Sequence, residues 1–168
     1  MALTRFRVQG GNLKSVCSRG KMPVLDEFHM DRNHLQCISS QWLPESPFLK
    51  ILSFRRNKII YVEKHSFDPY DMLKIIDLTY NRISLINLIS FPSKVGLKAH
   101  LYNNMTCQSK VGLLKDLNHT ELRRIPKQES RACEEFEKLQ KQVSVTCQSC
   151  SGTASTSIVL IVLSIVPG

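Results

Sequence analysis

Three consecutive copies of one apolar pattern, each built around an asparagine, constrain the fold more than any other feature of the chain. The copies begin at Leu25, Leu49 and Leu73, so each is offset by 24 residues from the copy before it. In each copy apolar residues recur two apart, as Leu52 and Phe54 do, and such residues face one side of a short strand. One strand cannot bury its apolar face alone, whereas a stack of strands shares a core. The pattern therefore predicts an α/β solenoid with parallel strands.

An asparagine stands at the ninth position of every copy, at Asn33, Asn57 and Asn81. Its side-chain amide carries two N–H donors and a carbonyl acceptor, so it can bind backbone groups where a strand ends and the chain turns. The fixed spacing predicts that the three amides form a buried ladder. Loss of one amide would leave backbone groups without partners, at a cost of about 1–3 kcal/mol.

The strand residues that alternate with the apolar positions point to the opposite, concave face of the sheet. They are polar, of mixed charge, and include one aromatic ring. We regard them as candidates for contact with a partner, with plain solvation of the sheet as the alternative. The nine candidates are His29, Asp31, Arg32, Ser53, Arg55, Arg56, Asp77, Thr79 and Tyr80.

Residues 22–97 resemble the leucine-rich repeat superfamily, and within it the extracellular type, whose repeats are about 24 residues long. The half-repeat after the asparagine adds to the likeness, because the segment Glu63-Lys64-His65-Ser66-Phe67 carries the phenylalanine of that type. The resemblance implies parallel strands on the concave side, irregular turns on the convex side, and non-catalytic recognition of another protein through the concave face. The three repeats are then 25–48, 49–72 and 73–96.

The next segment, 98–150, resembles a degenerate fourth repeat followed by the cysteine-flanked C-terminal cap of extracellular repeats. Leu101–Cys107 is similar to the last strand and the entry to that cap, and Cys133–Gln140 is similar to its third-cysteine segment. Ser109 replaces the second cysteine of the family pattern. Leucine spacing and a composition rich in Glu, Lys and Gln predict helix within residues 110–145, and hence a partly helical cap.

The cysteines expected to form disulfide bonds are Cys107, Cys133, Cys147 and Cys150. The family pattern pairs Cys107 with Cys133, and either of the other two would supply the fourth cap cysteine. Cys37 lies in the first repeat, where a small, buried, free thiol is expected. The spacing Cys147-x-x-Cys150 also occurs in zinc and redox sites, but no second pair accompanies it. We therefore predict no metal and no cofactor.

Residues 1–21 are basic and irregular, and Gly10-Gly11 interrupts any regular pattern. This segment resembles, at most, a vestige of the cysteine-containing cap that precedes extracellular repeats. Without a competent cap the first repeat would present Leu25, Phe28 and Met30 to solvent beside an unpaired strand edge. Self-association of the chain is the expected consequence.

The cues to localisation conflict. Sequons at Asn104 and Asn118 predict glycosylation and hence a cell-surface or secreted protein. The first residues lack the apolar core of about 7–15 residues that a secretory signal contains, which favours a cytoplasmic scaffold or adaptor as the alternative. Segment 151–168 joins a small-residue linker to an apolar tail, Ile158–Val166, that is short for a membrane span of about 20 residues. Membrane association through this tail, a lipid-anchor signal and a β-prone tail are its three interpretations.

The net charge of +9 comes from 23 Lys and Arg against 14 Asp and Glu. Basic chains can bind nucleic acid, anionic glycans or membranes, but these basic residues are scattered and no nucleic-acid-binding motif occurs. We expect a solvated basic surface and no nucleic-acid partner. The five histidines are dispersed, and no phosphate-binding loop, nucleophile elbow or metalloprotease motif is present. We therefore predict no catalytic residues and no enzymatic activity.

Overall fold

The computed structural model describes residues 3–18, 21–83, 96–101, 130–147 and 157–160. The strands in these residues are β1 (Arg5–Arg7), β2 (Ser15–Ser18), β3 (Glu27–His29), β4 (Cys37–Ile38), β5 (Ile51–Ser53), β6 (Tyr61–Val62), β7 (Ile75–Asp77), β8 (Lys98–His100) and β9 (Ser157–Leu160). A turn of 3-10 helix spans Ser40–Trp42, and helix α1 spans Ser130–Cys147.

Five of the strands form one parallel sheet in the order β1-β3-β5-β7-β8. Phe28 of β3 aligns with Leu52 of β5, and Leu52 aligns with Ile76 of β7, so the sheet keeps the 24-residue period of the sequence. All three side chains are fully buried. Successive repeats thus stack into the parallel-strand solenoid that the apolar frame predicts, and this part of the prediction is confirmed.

The segment before the first predicted repeat contributes a further turn of the solenoid. Strand β1 pairs in parallel with β3 and places Phe6 opposite Phe28, which is a step of 22 residues rather than 24. The two rings stack with their centroids 5.3 Å apart. The backbone pairing continues beyond the strands, since the Val8 N–H donates to the His29 carbonyl at 2.9 Å. The expectation that residues 1–21 are irregular is therefore wrong.

This additional turn covers the apolar face of the first predicted repeat. Leu25, Phe28 and Met30 are at most 1% exposed, so the expectation that they face solvent is wrong. The prediction of self-association rests on that exposure, so this argument for it no longer holds. Strand β1 forms this edge of the sheet, and its Arg5 and Arg7 are exposed. Charged side chains on an edge strand oppose pairing with another chain.

The convex side is built from short strands and turns. Strands β4 and β6 pair in parallel there, with Cys37 opposite Tyr61. Phe67 is fully buried behind them, and the Tyr70 hydroxyl donates to the Pro44 carbonyl at 2.8 Å. Burial, with a smaller contribution from the charge of Glu45, raises the pKa of Tyr70 well above its ordinary value of 10.0.

Helix α1 packs against β4 and β6 on this convex side. Val143 and Cys147 are buried there, and Cys147 forms a disulfide bond with Cys37 across a Cα–Cα distance of 6.0 Å. The expectation that Cys37 is a free thiol is therefore wrong, because packing of the helix brings a sequence-remote cysteine within bonding range. A helical cap over the last repeat is also not supported, since the main contacts of α1 are with the first two predicted repeats.

The last strand of the sheet is shifted by one residue. Ile76 aligns with Ala99, a step of 23 rather than the 24 that separates the strands of the three repeats. A one-residue slip moves every side chain to the other face of a strand. Here the slip turns Ala99 and Leu101 towards the core and keeps Lys98 and His100 out of it, which avoids burial of polar groups without partners.

Part of the C-terminal apolar tail is a strand, because β9 pairs in parallel with β2. This arrangement agrees with the β-prone interpretation of the tail. Among the residues that the structure describes, no helix is both long and apolar enough to cross a membrane. The following predicted sites lie outside the described residues: Asn104, Asn118, Cys107, Cys150 and the side chain of Cys133.

Candidate partner-binding face of the sheet

The asparagine ladder holds the turn that follows each strand. Asn57 donates from Nδ2 to the carbonyl oxygens of Met30 at 2.9 Å and Phe54 at 3.0 Å, and its Oδ1 accepts from the Leu35 N–H at 3.1 Å. Asn81 repeats this arrangement one repeat further along. Each amide thus binds its own repeat and the preceding one, which fixes where the neighbouring side chains emerge.

The first rung of the ladder is different. Asn33 donates from Nδ2 to the Val8 carbonyl at 3.0 Å and to the Met30 carbonyl at 3.2 Å, but its buried Oδ1 has no hydrogen-bond partner among the described residues. Gly11 occupies the equivalent position in the preceding turn, and a Cβ atom there would lie 2.9 Å from Asn33 Oδ1. The absence of a side chain at Gly11 lets the two turns approach closely, and the ladder ends at Asn33.

The residue before each ladder asparagine adopts a left-handed backbone conformation. The angle φ is 55° at Arg32, 53° at Arg56 and 58° at Tyr80, and Gly10 has φ 73° in the preceding turn. A non-glycine residue in this conformation costs roughly 1–2 kcal/mol. The turn projects the three larger side chains into solvent, where all three are exposed.

Charges on the concave face are paired across neighbouring strands. Arg5 Nε of β1 lies 3.1 Å from Glu27 Oε1 of β3. Within β3, His29 Nε2 also lies 3.2 Å from Glu27 Oε2. Arg55 Nε lies 3.4 Å from Asp77 Oδ2. Opposite charges on adjacent strands stabilise a sheet by about 0.2–1 kcal/mol per pair. Much of the charge on this face is therefore compensated within the sheet.

Three of the nine predicted binding residues have little surface with which to contact a partner. Asp31 is buried, and its Oδ1 accepts from Ser53 Oγ at 2.6 Å and from the Arg55 N–H at 2.9 Å. Ser53 and Thr79 are buried as well. The other six candidates are accessible: His29, Arg55 and Asp77 are half-buried, and Arg32, Arg56 and Tyr80 are exposed.

Two apolar residues on the concave face, at the starts of the inner strands β5 and β7, are missed by a search for polar candidates. Ile51 and Ile75 lie side by side in adjacent strands and are half-buried, although neither points into the core. Glu27 flanks them on one side and Lys98 on the other. The signal for both is alternation: each precedes a fully buried strand residue and must face the other way.

The described residues hold no group of three or more His, Cys, Asp and Glu side chains that could hold a metal ion. Glu27 and His29 are bound to one another within strand β3. Accessible side chains of this surface lie along all five strands of the sheet, from Arg5 in β1 to Lys98 in β8.

An open parallel sheet whose strands lead into an asparagine ladder defines a repeat solenoid. Residues 23–91 match the family model described as "Leucine rich repeat", which confirms the resemblance of these repeats to the leucine-rich repeat superfamily. Comparison with curated proteins finds no match to the chain. Leucine-rich repeats are typically non-catalytic and use an extended concave surface to bind other proteins.

Proposed function

We propose that the chain is a non-catalytic recognition module that binds another protein through the concave face of its sheet. The observation that carries this proposal is the pair Ile51 and Ile75, an accessible apolar patch on two inner strands of an otherwise polar surface. Protein interfaces have an apolar centre within a polar, solvent-accessible rim. The ion pairs Arg5–Glu27 and Arg55–Asp77 supply such a rim.

The ion pairs and the isoleucine pair have different tasks in this proposal. Partly exposed ion pairs contribute little to affinity, but they select partners by electrostatic complementarity and by the cost of mismatched charge. The free energy of binding then comes from covering the two isoleucines with an apolar or aromatic side chain of the partner. No catalytic step is required of any residue on this face.

We further propose that the protein acts at the cell surface or in secretion. The disulfide bond between Cys37 and Cys147 supports this, because such bonds persist in oxidising compartments and are rare in the cytosol. Glycosylation at Asn104 or Asn118 would add to it. An intracellular scaffold of the same fold is the alternative. Membrane association through residues 158–166 stays a prediction from the sequence.

The experiment places a photo-cross-linking residue at Ile75, on the concave face, or at Lys64, an exposed convex position, in the full chain. Each protein is exposed separately to intact cells and to cytosolic extract. We expect specific cross-linked proteins from Ile75 alone, on intact cells, and their loss when Ile51→Lys is added. Equal labelling from both positions would contradict a concave interface. Labelling confined to cytosolic extract would favour the intracellular scaffold.

A further inference from the structure

Two rows of side chains run along the edge of the sheet where the strands end, one on each side of the asparagine ladder. Because each ladder asparagine is buried, the residue before it and the residue after it point outward. Five of these six residues are exposed and His34 is half-buried. We call them the basic ridge: Arg32, His34, Arg56, Lys58, Tyr80 and Arg82.

Backbone hydrogen bonds hold the ridge residues of successive repeats side by side. The Arg56 N–H donates to the Thr79 carbonyl at 3.0 Å, and the Arg82 N–H donates to the Ile59 carbonyl at 2.9 Å. Chains bonded in this way lie about 4.8 Å apart, so each row of three residues spans about 10 Å. The charges of the ridge therefore form a regular array, although basic residues look scattered along the sequence.

The positive charge of the ridge is not compensated in the part of the chain that the structure describes. None of its four Arg and Lys side chains forms an ion pair there. The acidic side chains that precede it on the strands, Asp31 and Asp77, are engaged on the concave face, with Ser53 and Arg55 respectively. The ridge therefore differs from the concave face, where opposite charges are paired.

We infer that the basic ridge binds a sulfated polysaccharide, a linear polyanion whose sulfate groups recur along its length. The guanidinium groups of Arg32, Arg56 and Arg82 present forked N–H donors that suit the oxygen atoms of such anions, and Lys58 adds a point charge. Ile51 and Ile75 begin strands β5 and β7, whereas the ridge follows the ends of the strands, so the inference does not rest on the isoleucine pair of the proposed protein interface. Arg32, Arg56 and Tyr80, which the sequence predicts as partner contacts of the concave face, are assigned to the ridge here.

Two observations favour a polysaccharide over a nucleic acid. The Arg56 guanidinium lies over one face of the Tyr80 ring, 4.8 Å from its centroid. Single-stranded nucleic acids are bound by stacking successive bases on aromatic side chains, whereas here one face of the single tyrosine of the ridge is already occupied. In addition, the Cys37–Cys147 bond is typical of compartments outside the cytosol, where sulfated polysaccharides are the abundant linear polyanions.

The test measures binding of the full chain to a size-defined heparin oligosaccharide by calorimetry at several salt concentrations. Its desulfated form, a polyglutamate peptide and a single-stranded oligonucleotide are the comparison ligands. The ridge variant is Arg56→Gln/Lys58→Gln. The matched control, Lys64→Gln/Lys74→Gln, removes the same net charge from exposed lysines outside the ridge. Thermal unfolding by circular dichroism checks that both variants fold as the parent does.

We expect the ridge variant to bind the sulfated oligosaccharide at least about tenfold more weakly, because two charge-assisted contacts are lost. The number of ions released on binding, read from the slope of log affinity against log salt concentration, should fall by about two. The affinity of the control variant should change less than about twofold. Equal weakening in both variants would reduce the effect to net charge and overturn the site. Equal or tighter binding of the oligonucleotide or polyglutamate, with the same sensitivity to the ridge variant, would overturn the assignment to sulfated polysaccharide.

Discussion

Replacing Asn57 by alanine tests the ladder, and the same change at Asn33 supplies a matched comparison. Asn57→Ala removes the acceptor of the buried Leu35 N–H. It also removes one donor from each of two carbonyls, although Phe54 O keeps Asn81 Nδ2 at 2.9 Å and Met30 O keeps Asn33 Nδ2 at 3.2 Å. The main loss is thus one orphaned N–H group and two hydrogen bonds.

The expected cost of Asn57→Ala is about 3–5 kcal/mol, since an orphaned buried donor costs about 1–3 kcal/mol and each of the two hydrogen bonds contributes about 1. Asn33→Ala should cost only about 1–2 kcal/mol. No N–H group loses an acceptor there, and the substitution also removes the unpaired, buried Oδ1. The two variants delete the same atoms, so their difference isolates the position within the ladder.

Urea unfolding of the parent and both variants under identical conditions measures these differences, provided that the slopes of the transitions agree. We expect Asn57→Ala to have the lower midpoint. If Asn33→Ala loses as much free energy of unfolding, or more, then the hydrogen bond to Leu35 does not contribute as its burial implies. Losses below about 0.5 kcal/mol in both variants, the range of ordinary surface substitutions, would reject a structural role for the ladder.

Cys37→Ser should lower the free energy of unfolding by roughly 4–5 kcal/mol, because the lost disulfide bond joins residues 110 apart in sequence. Melting temperatures with and without reductant check this, and an unchanged value would show that the bond is not formed. Phe6→Ala should cost about 2–3 kcal/mol, since its ring stacks on Phe28, and the exposed Leu3→Ala less than about 0.5. Calorimetry on both variants measures these losses of unfolding free energy, and equal losses would contradict the packing of β1 as the first turn of the solenoid. Stability should also fall as pH rises above about 10, where unfolded Tyr70 ionises while burial holds the folded side chain neutral. Chemical unfolding between about pH 8 and 11 should give a flatter curve for Tyr70→Phe, and parallel curves would refute the assignment.

The repeat frame was sufficient to predict β3, β5 and β7, because these strands share one period, one apolar face and one asparagine. The frame Leu3-x-x-Phe6-x-Val8 has the same apolar spacing, yet its step is 22 and Gly11 stands in the place of the asparagine. A search at a fixed period therefore misses it. Only backbone pairing with β3 reveals it as a turn of the solenoid.

Other features depend on contacts that spacing does not contain. The partner of Cys147 depends on where helix α1 packs, and the family pattern pointed to other cysteines. On the concave face, alternation predicts the direction of a side chain but not its depth. Asp31 and Ser53 are polar and correctly placed on that face, yet they are buried because they bind one another across the strands.

The left-handed turn before each ladder asparagine makes side chains costly at positions that are exposed on the surface. Glycine adopts it without steric cost, as at Gly10, whereas Arg32, Arg56 and Tyr80 each carry roughly 1–2 kcal/mol of strain. The greater freedom of glycine in the unfolded chain offsets only part of that difference. Mutational drift governed by folding alone would empty these positions of side chains. Within the fold, the contact between the Arg56 guanidinium and the Tyr80 ring offsets part of this strain. Among the described residues Arg32 has no such ring contact, so Arg32→Gly should cost the fold least of the three.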